Sequence, residues 1–175
     1  MEKLSWQWMA ECEISLTRRF NRIGRFPWIL HAFQRISRLG DGVFWYVLMI
    51  ALYVFEGPSA LPVVLQMIAA GLVATVMYKW LKKKTLRPRP HQQFGSIRCL
   101  TAPLDRFSFP SGHTLHAVTF SLVAMYYYPL LAWLLIPFTL AVAVSRLVLG
   151  LHYPTDVLAG AALGAAVAGL SFLIF

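Results

Sequence analysis

Residues 157–175 read VLAGAALGAAVAGLSFLIF, nineteen positions from Val157 to Phe175 without a charge. A helix of about 20 apolar residues is what crosses the hydrocarbon core of a bilayer, so this stretch sets the fold class. Its Gly160-x-x-x-Gly164 pair would let a neighbouring helix approach closely. Working back, Thr114–Val144 is uncharged, and Pro129, after three tyrosines, divides it into helices over Ser111–Tyr128 and Leu130–Leu149. Ala60–Tyr78 is another uncharged tract, interrupted by one amide, Gln66. Gly42–Phe55 is shorter and reaches span length by borrowing flanking residues or by tilting. The expectation is an all-α polytopic membrane bundle of about five transmembrane helices.

The composition points the same way. Of 175 residues 58% are hydrophobic and only 13% charged, with a mean hydropathy of +0.61. A soluble domain carries about a quarter charged residues; this chain could not cover a water-facing surface. Disorder, collagen, coiled coil and a disulfide scaffold are excluded at once. Cys12 and Cys99, the two cysteines, form no ligand set. Neither a basic leader nor an apolar signal core follows Met1, so no cleaved signal peptide is expected.

Residues 1–41 differ from 42–175. They hold seven Lys and Arg, and the apolar run Phe26–Phe33 is broken by His31 and too short to cross. Leu4, Trp8, Cys12, Leu16 and Phe20 recur every fourth residue, as on one helix face. Residues 1–41 therefore read either as an interfacial amphipathic segment or as a cap packed on the bundle, and 42–175 as the transmembrane domain. Five crossings place 1–41, 79–111 and 145–156 on one side, which then holds all 16 Lys and Arg. A net charge of +9 distributed in this way suits anionic headgroups or a phosphate-bearing substrate, not nucleic acid. The positive-inside rule puts that face in the cytoplasm.

The chemistry-bearing residues lie on the same face, in three blocks. The first is Lys82-Lys83-Lys84-Thr85-Leu86-Arg87-Pro88-Arg89-Pro90, the second Phe109-Pro110-Ser111-Gly112-His113, and the third runs from Ser145-Arg146 to His152-Tyr153-Pro154-Thr155-Asp156. Taken singly, they read as a solvated anchor, a helix cap and a structural hydrogen bond. Together they fit one reaction. Lys82, Arg89 and Arg146 offer three cations to a phosphate, the arginines through forked hydrogen bonds. Ser111 and Gly112 stand where a helix begins, so free N–H groups and the helix dipole face an anion. Ser111 can also cap that helix, and Gly112, without a Cβ, would let a phosphate come close to the backbone. One neutral imidazole, oriented by a carboxylate, can attack phosphorus while a second, protonated, donates to the departing oxygen. Asp156 is the natural orienter of His152.

At these residues the chain resembles the type 2 phosphatidic acid phosphatases. These are integral-membrane lipid phosphatases that share their site with acid phosphatases and vanadium haloperoxidases. The family signature K-x6-R-P, P-S-G-H and S-R-x5-H-x3-D is matched by Lys82-x6-Arg89-Pro90, Pro110-Ser111-Gly112-His113 and Ser145-Arg146-x5-His152-x3-Asp156. The resemblance covers about residues 42–175. It implies that His152 is the nucleophile of a phosphohistidine intermediate, polarised by Asp156, and that His113 is the general acid and then the base. It also implies that Lys82, Arg89, Ser111, Gly112 and Arg146 hold the phosphoryl oxygens, and that no metal or other cofactor is used. The family's commoner form has six spans against five plus an amphipathic segment here, and family precedent puts the active site on the outer face, against the charge rule.

The expected substrate is a lipid phosphate or diphosphate in a bacterial cell (inner) membrane. Short loops leave little protein to read a large head and favour one that is mostly phosphate; among undecaprenyl diphosphate, phosphatidylglycerol phosphate and phosphatidic acid, the first is favoured on general grounds. The competing readings are a protein that binds or transports an anionic lipid without cleaving it, and a vanadate-dependent oxidase. His116, one turn after His113, reads as a hydrogen-bonded core histidine, and His91 as a loop residue. Arg87 is set aside because Trp80, not a lysine, stands seven residues before it. Lys83, Lys84, Arg98 and Arg106 read as solvated loop charges or as headgroup contacts. Trp80, Tyr126, Tyr127, Tyr128 and Trp133 read as interfacial belt aromatics. The oligomeric state is not encoded in any of these patterns.

Overall fold

The computed structural model describes residues 2–175, and their side chains from residue 10 onward. Helix α1 (Glu2–Ile23) is followed by α2 (Pro27–Arg38), which continues through one widened turn, Leu39–Val43, into α3 (Phe44–Glu56). Then come α4 (Leu61–Thr85), the short α5 (Pro90–Gln93), α6 (Gly112–Tyr127), α7 (Ala132–Val148) and α8 (Pro154–Ser171). The protein is an all-α membrane bundle. Among the described residues three helical stretches are long and apolar enough to cross a membrane: Pro27–Gln93, which holds α2 to α4, then Pro129–Val148 and Pro154–Ser171. Helix α6, shorter than these, packs centrally against α4, α7 and α8.

The first span does borrow upstream residues. The helical run starts at Pro27, whose fixed φ suits a first helical position, and passes through residues 41 and 42, where the sequence reading separated the N-terminal segment from the membrane domain. Pro129–Leu131 forms the tight turn between α6 and α7.

Ile50, Val54, Val76, Leu140 and Leu158 stand exposed on the outside of the bundle. Polar pairs sit inside: Gln66 Nε2 donates to Ser171 Oγ at 2.9 Å, Tyr127 Oη to Gln66 Oε1 at 2.8 Å, and Ser121 shares a 2.7 Å hydrogen bond with Thr139. Lipid offers no hydrophobic drive between helices, so close packing and such bonds hold them together. Gly160 and Gly164 supply the close packing. A Cβ on Gly160 would lie 2.6 Å from Ser111 O, and one on Gly164 2.5 Å from Leu115 O. Gly164→Ala is expected to push α8 off α6 at a cost of about 1–3 kcal/mol, seen as a lowered unfolding midpoint in detergent; an unchanged midpoint would contradict this packing.

Helix α1 docks by a polar stripe, not by the apolar one. Glu13, Thr17 and Asn21, four apart, face the bundle, and Thr17 and Asn21 are buried. Asn21 Nδ2 donates to Val148 O (3.0 Å) and Arg98 O (2.9 Å), and its Oδ1 accepts the Arg98 N–H. Of the expected apolar face, Cys12 and Leu16 are exposed and Phe20 half-buried, while the Leu4 and Trp8 side chains lie outside the described ones. The reason is local: carbonyls at the end of α7 and in the 94–111 loop need donors that leucines cannot give. Helix α1 thus caps the bundle and still turns an apolar edge outward.

Candidate active site

Each block reaches the site through a distinct local device. Lys82 lies in the last turn of α4, after which Leu86 adopts a left-handed conformation and breaks the helix. Pro90 then holds Arg89 extended. Gly150 (φ 71°) turns the chain back after α7, where a Cβ would meet Arg98 O at 2.3 Å. The N–H groups of both Leu151 and His152 then donate to Arg146 O, at 3.1 and 3.3 Å. That return is the physical content of the S-R-x5-H spacing. Helix α8 starts at Pro154, so Asp156 is its third residue and accepts the Tyr153 N–H at 2.8 Å as a reciprocal cap.

Lys82, Arg89, Gly112, His113, Arg146 and His152 all line one cavity of about 940 Å³. Ser111 and Asp156 stand directly behind it, fully buried, with the Ser111 N–H donating to Asp156 O at 3.0 Å. Every predicted site residue is therefore at or against one pocket. From the polar end the cavity continues along α3 and α4 past Trp45, Met49, Ile68 and Leu72, a wall suited to an apolar chain.

His152 Nε2 faces Arg89 Nη1 at 3.3 Å, and its Nδ1 faces Asp156 Oδ2 at 3.6 Å. A guanidinium only donates, so Nε2 is the acceptor and carries the lone pair. Burial, followed by the charges of Arg146, Arg89 and Lys82, pushes His152 well below the ordinary histidine value. The imidazole is therefore neutral at neutral pH, and is protonated only once the pH falls through that depressed value. Arg146, 3% exposed, meets Ser37 Oγ through Nη1 and keeps a buried Nε without a partner among the described residues. A buried, unpaired guanidinium N–H is an anion-seeking group.

Four features were not read from the sequence. Asp105 receives both Lys82 Nζ (2.8 and 2.9 Å) and Arg89 Nη2 (2.9 Å). Burial alone would raise its carboxyl, but the bonds and charges of Lys82 and Arg89 outweigh that and hold it below the ordinary value. The clamp is thus intact at neutral pH and is lost as pH falls through the depressed value. Asp105 is a resident anion on two of the three cations. Asp105→Asn is expected to strengthen competitive inhibition by inorganic phosphate about ten-fold and to lower the ligand-free unfolding midpoint; weaker phosphate inhibition would contradict it.

The second is Arg87, set aside on register. It donates to Asp156 Oδ1 at 2.7 Å and to Glu13 Oε2 of α1 at 2.7 Å, and stacks 4.1 Å over the Tyr153 ring. Third, Ser111 is the N-cap residue of α6 by position, but its Oγ pairs with Thr114 Oγ1 at 3.0 Å instead of capping a backbone N–H. A Cβ on Gly112 would touch the Tyr78 ring at 3.4 Å. Fourth, Asp41 lies against His113, so Asp156 is not the only carboxylate beside a site histidine. No spacing signal reaches from residue 41 to residue 113. His116 bonds Thr75 Oγ1 (3.0 Å) and Gly112 O (3.0 Å), and His91 bonds Gly150 O (3.0 Å), as a core and a loop histidine do.

Comparison with known proteins supports the same grouping. The model of the PAP2 superfamily matches residues 59–175. The chain is 30% identical over 101 residues to the bacitracin transport permease protein BcrC of Bacillus licheniformis, covering 58% of this chain and 50% of that one. It is 28% identical over 133 residues to undecaprenyl-diphosphatase BcrC of Bacillus subtilis, covering 76% and 68%. The chain thus spans half the length of the first relative and about two thirds of the second. The crystal structure of Aquifex aeolicus LpxE superposes with a TM-score of 0.81 at 28% identity, over 93% of this chain and 95% of that one.

Proposed function

The chain belongs to the PAP2 superfamily, and from that premise we propose that it is a membrane phosphatase that hydrolyses a lipid phosphate or diphosphate, undecaprenyl diphosphate first among them, in a bacterial cell membrane. The observation that carries this reading is the convergence of Lys82, Arg89, Arg146, His113 and His152 on one cavity whose far wall is apolar. The phosphoryl group sits among the cations and displaces the Asp105 carboxylate, and the tail lies along α3 and α4.

The lone pair on His152 Nε2 attacks phosphorus, and the P–O bond breaks with its electron pair passing to the leaving oxygen. That oxygen takes a proton from His113. The His152 ring, now phosphorylated and cationic, is stabilised by Asp156. Neutral His113 next accepts a proton from water as the water attacks phosphorus, the N–P bond breaks, and phosphate leaves with His152 neutral again. The cations and the α6 N-terminus stabilise the charge that spreads over the equatorial oxygens. The favoured substrate rests on the named activity of the B. subtilis relative and on loops too short to enclose a large head.

The test is phosphate release by the purified protein from undecaprenyl diphosphate, phosphatidylglycerol phosphate and phosphatidic acid, with a chelator present. Undecaprenyl diphosphate is expected to turn over fastest, chelator to have no effect, and vanadate to inhibit. Binding of all three without release would favour the carrier reading.

A further inference from the structure

Where α2 runs into α3 the bundle carries one acidic residue ahead of the terminal Glu56 of α3. Asp41 is the sole Asp or Glu between Glu13 and Glu56, a lone carboxylate in an otherwise basic and apolar stretch. It sits in the widened π turn Leu39–Val43, a local defect of the kind that occurs at functional positions. The flanking glycines permit that turn. Gly42 takes φ 140°, a conformation that L side chains rarely adopt, and a Cβ on Gly40 would lie 3.1 and 3.2 Å from the Val142 methyls of α7. The turn delivers Asp41 into the wall of the cavity.

There its Oδ1 is in ion-pair contact with Nε2 of His113, a nitrogen that is buried and has no other partner among the described residues. The second site imidazole, like His152 with Asp156, is therefore backed by a carboxylate. We propose that Asp41 is the positioning residue of the acid step: it accepts the Nε2–H of His113 and so keeps the transferable proton on Nδ1. This rests on the reading of His113 as general acid. In the attack step the electron pair of the breaking P–O bond goes to the leaving oxygen, and the Nδ1 proton of His113 follows it. His113 is left neutral, its Nε2–H still held by Asp41. The same contact stabilises the imidazolium before transfer and fixes the ring plane, as the carboxylate partner does in other histidine sites.

A counter-ion that merely steadied Arg146 or the helix kink would matter equally for every substrate, whereas an acid-positioning residue matters only where the leaving group needs a proton. The experiment compares kcat/KM for two phosphate esters with the same tail, one releasing an alkoxide and one releasing nitrophenoxide. This parameter reports the steps up to and including leaving-group departure. Asp41→Asn, nearly isosteric, is expected to lower kcat/KM for the alkyl ester on the order of 10- to 100-fold, part of the roughly 10²–10⁴ that a general acid supplies, and to change the nitrophenyl ester by less than about 3-fold. Asp41→Ser must show the same selectivity, which separates the effect from any loss of fold in one variant, and Asp41→Glu is expected to recover part of the alkyl rate. His113→Gln, measured in parallel, should show a larger selective loss. Equal losses on both esters in the Asp41 variants, or none on the alkyl ester, overturn the inference. Equal losses in His113→Gln overturn the acid role of His113 itself, and the inference with it.

Discussion

His152→Ala is expected to reduce turnover of any lipid phosphate by roughly 10⁴- to 10⁶-fold, the scale on which removing a covalent nucleophile acts, while binding of the phosphate changes little. The separation follows from the geometry. The proposed grip on the anion is Lys82, Arg89 and Arg146, three cations from three segments that line one cavity, and none of them depends on the imidazole for its charge. Arg89 reaches His152 Nε2 at 3.3 Å but is independently fixed by Leu151 O at 2.8 Å. The check is paired: single-turnover phosphate release and equilibrium binding of a lipid phosphate to the same preparation. A carrier would keep its function in this variant, so retained transport or exchange with unchanged kinetics would contradict the enzymatic account.

The second large effect is expected at Arg89, which is 1% exposed. Its Nε donates to Asp105 O at 3.1 Å, Nη2 to Asp105 Oδ1 at 2.9 Å, and Nη1 to Leu151 O at 2.8 Å. One guanidinium thus orders the loop carrying Asp105 and the strand of backbone carrying His152, and still presents its fork to the cavity. A lysine keeps the charge but offers a single ammonium, which cannot span those positions. Arg89→Lys should lower kcat/KM by about 10²–10³, or about 2.7–4 kcal/mol of transition-state stabilisation. Lys84→Ala, an exposed position in the same basic run, should stay within about two-fold. Equal effects at the two positions would mean that the run acts as a diffuse anchor instead of a fixed grip.

The membrane bundle was legible because lipid imposes a crude rule: uncharged tracts of span length are helices. The Pro129 turn and the Gly160/Gly164 contact follow from equally local properties, a missing N–H and a missing Cβ. The site residues were legible for a different reason. Their spacing encodes short-range geometry, such as the turn at Gly150 that ties both Leu151 and His152 to Arg146 O, and the helix start that makes Asp156 a cap. Asp105 and Asp41 were not legible, because each meets its partner across the bundle and nothing periodic links residue 41 to 113 or 105 to 82. Arg87 failed for a subtler reason. The register argument singled out Arg89, which lines the cavity, but said nothing about a neighbour that points to the back of the site and pairs with Asp156 and Glu13. The polar stripe by which α1 docks was not legible either, because the carbonyls that Asn21 meets at Val148 and Arg98 lie far away in the chain.

The central claim is that phosphate passes through a bond to one named nitrogen. Rapid acid-free quenching of the protein during turnover of a lipid phosphate, followed by peptide mapping, tests it directly. A phosphoryl group on His152, labile to acid and absent when Asp156→Asn slows its formation, is the expected result. Phosphorylation at His113, His116 or any other residue, or full turnover with His152 never modified, would contradict it.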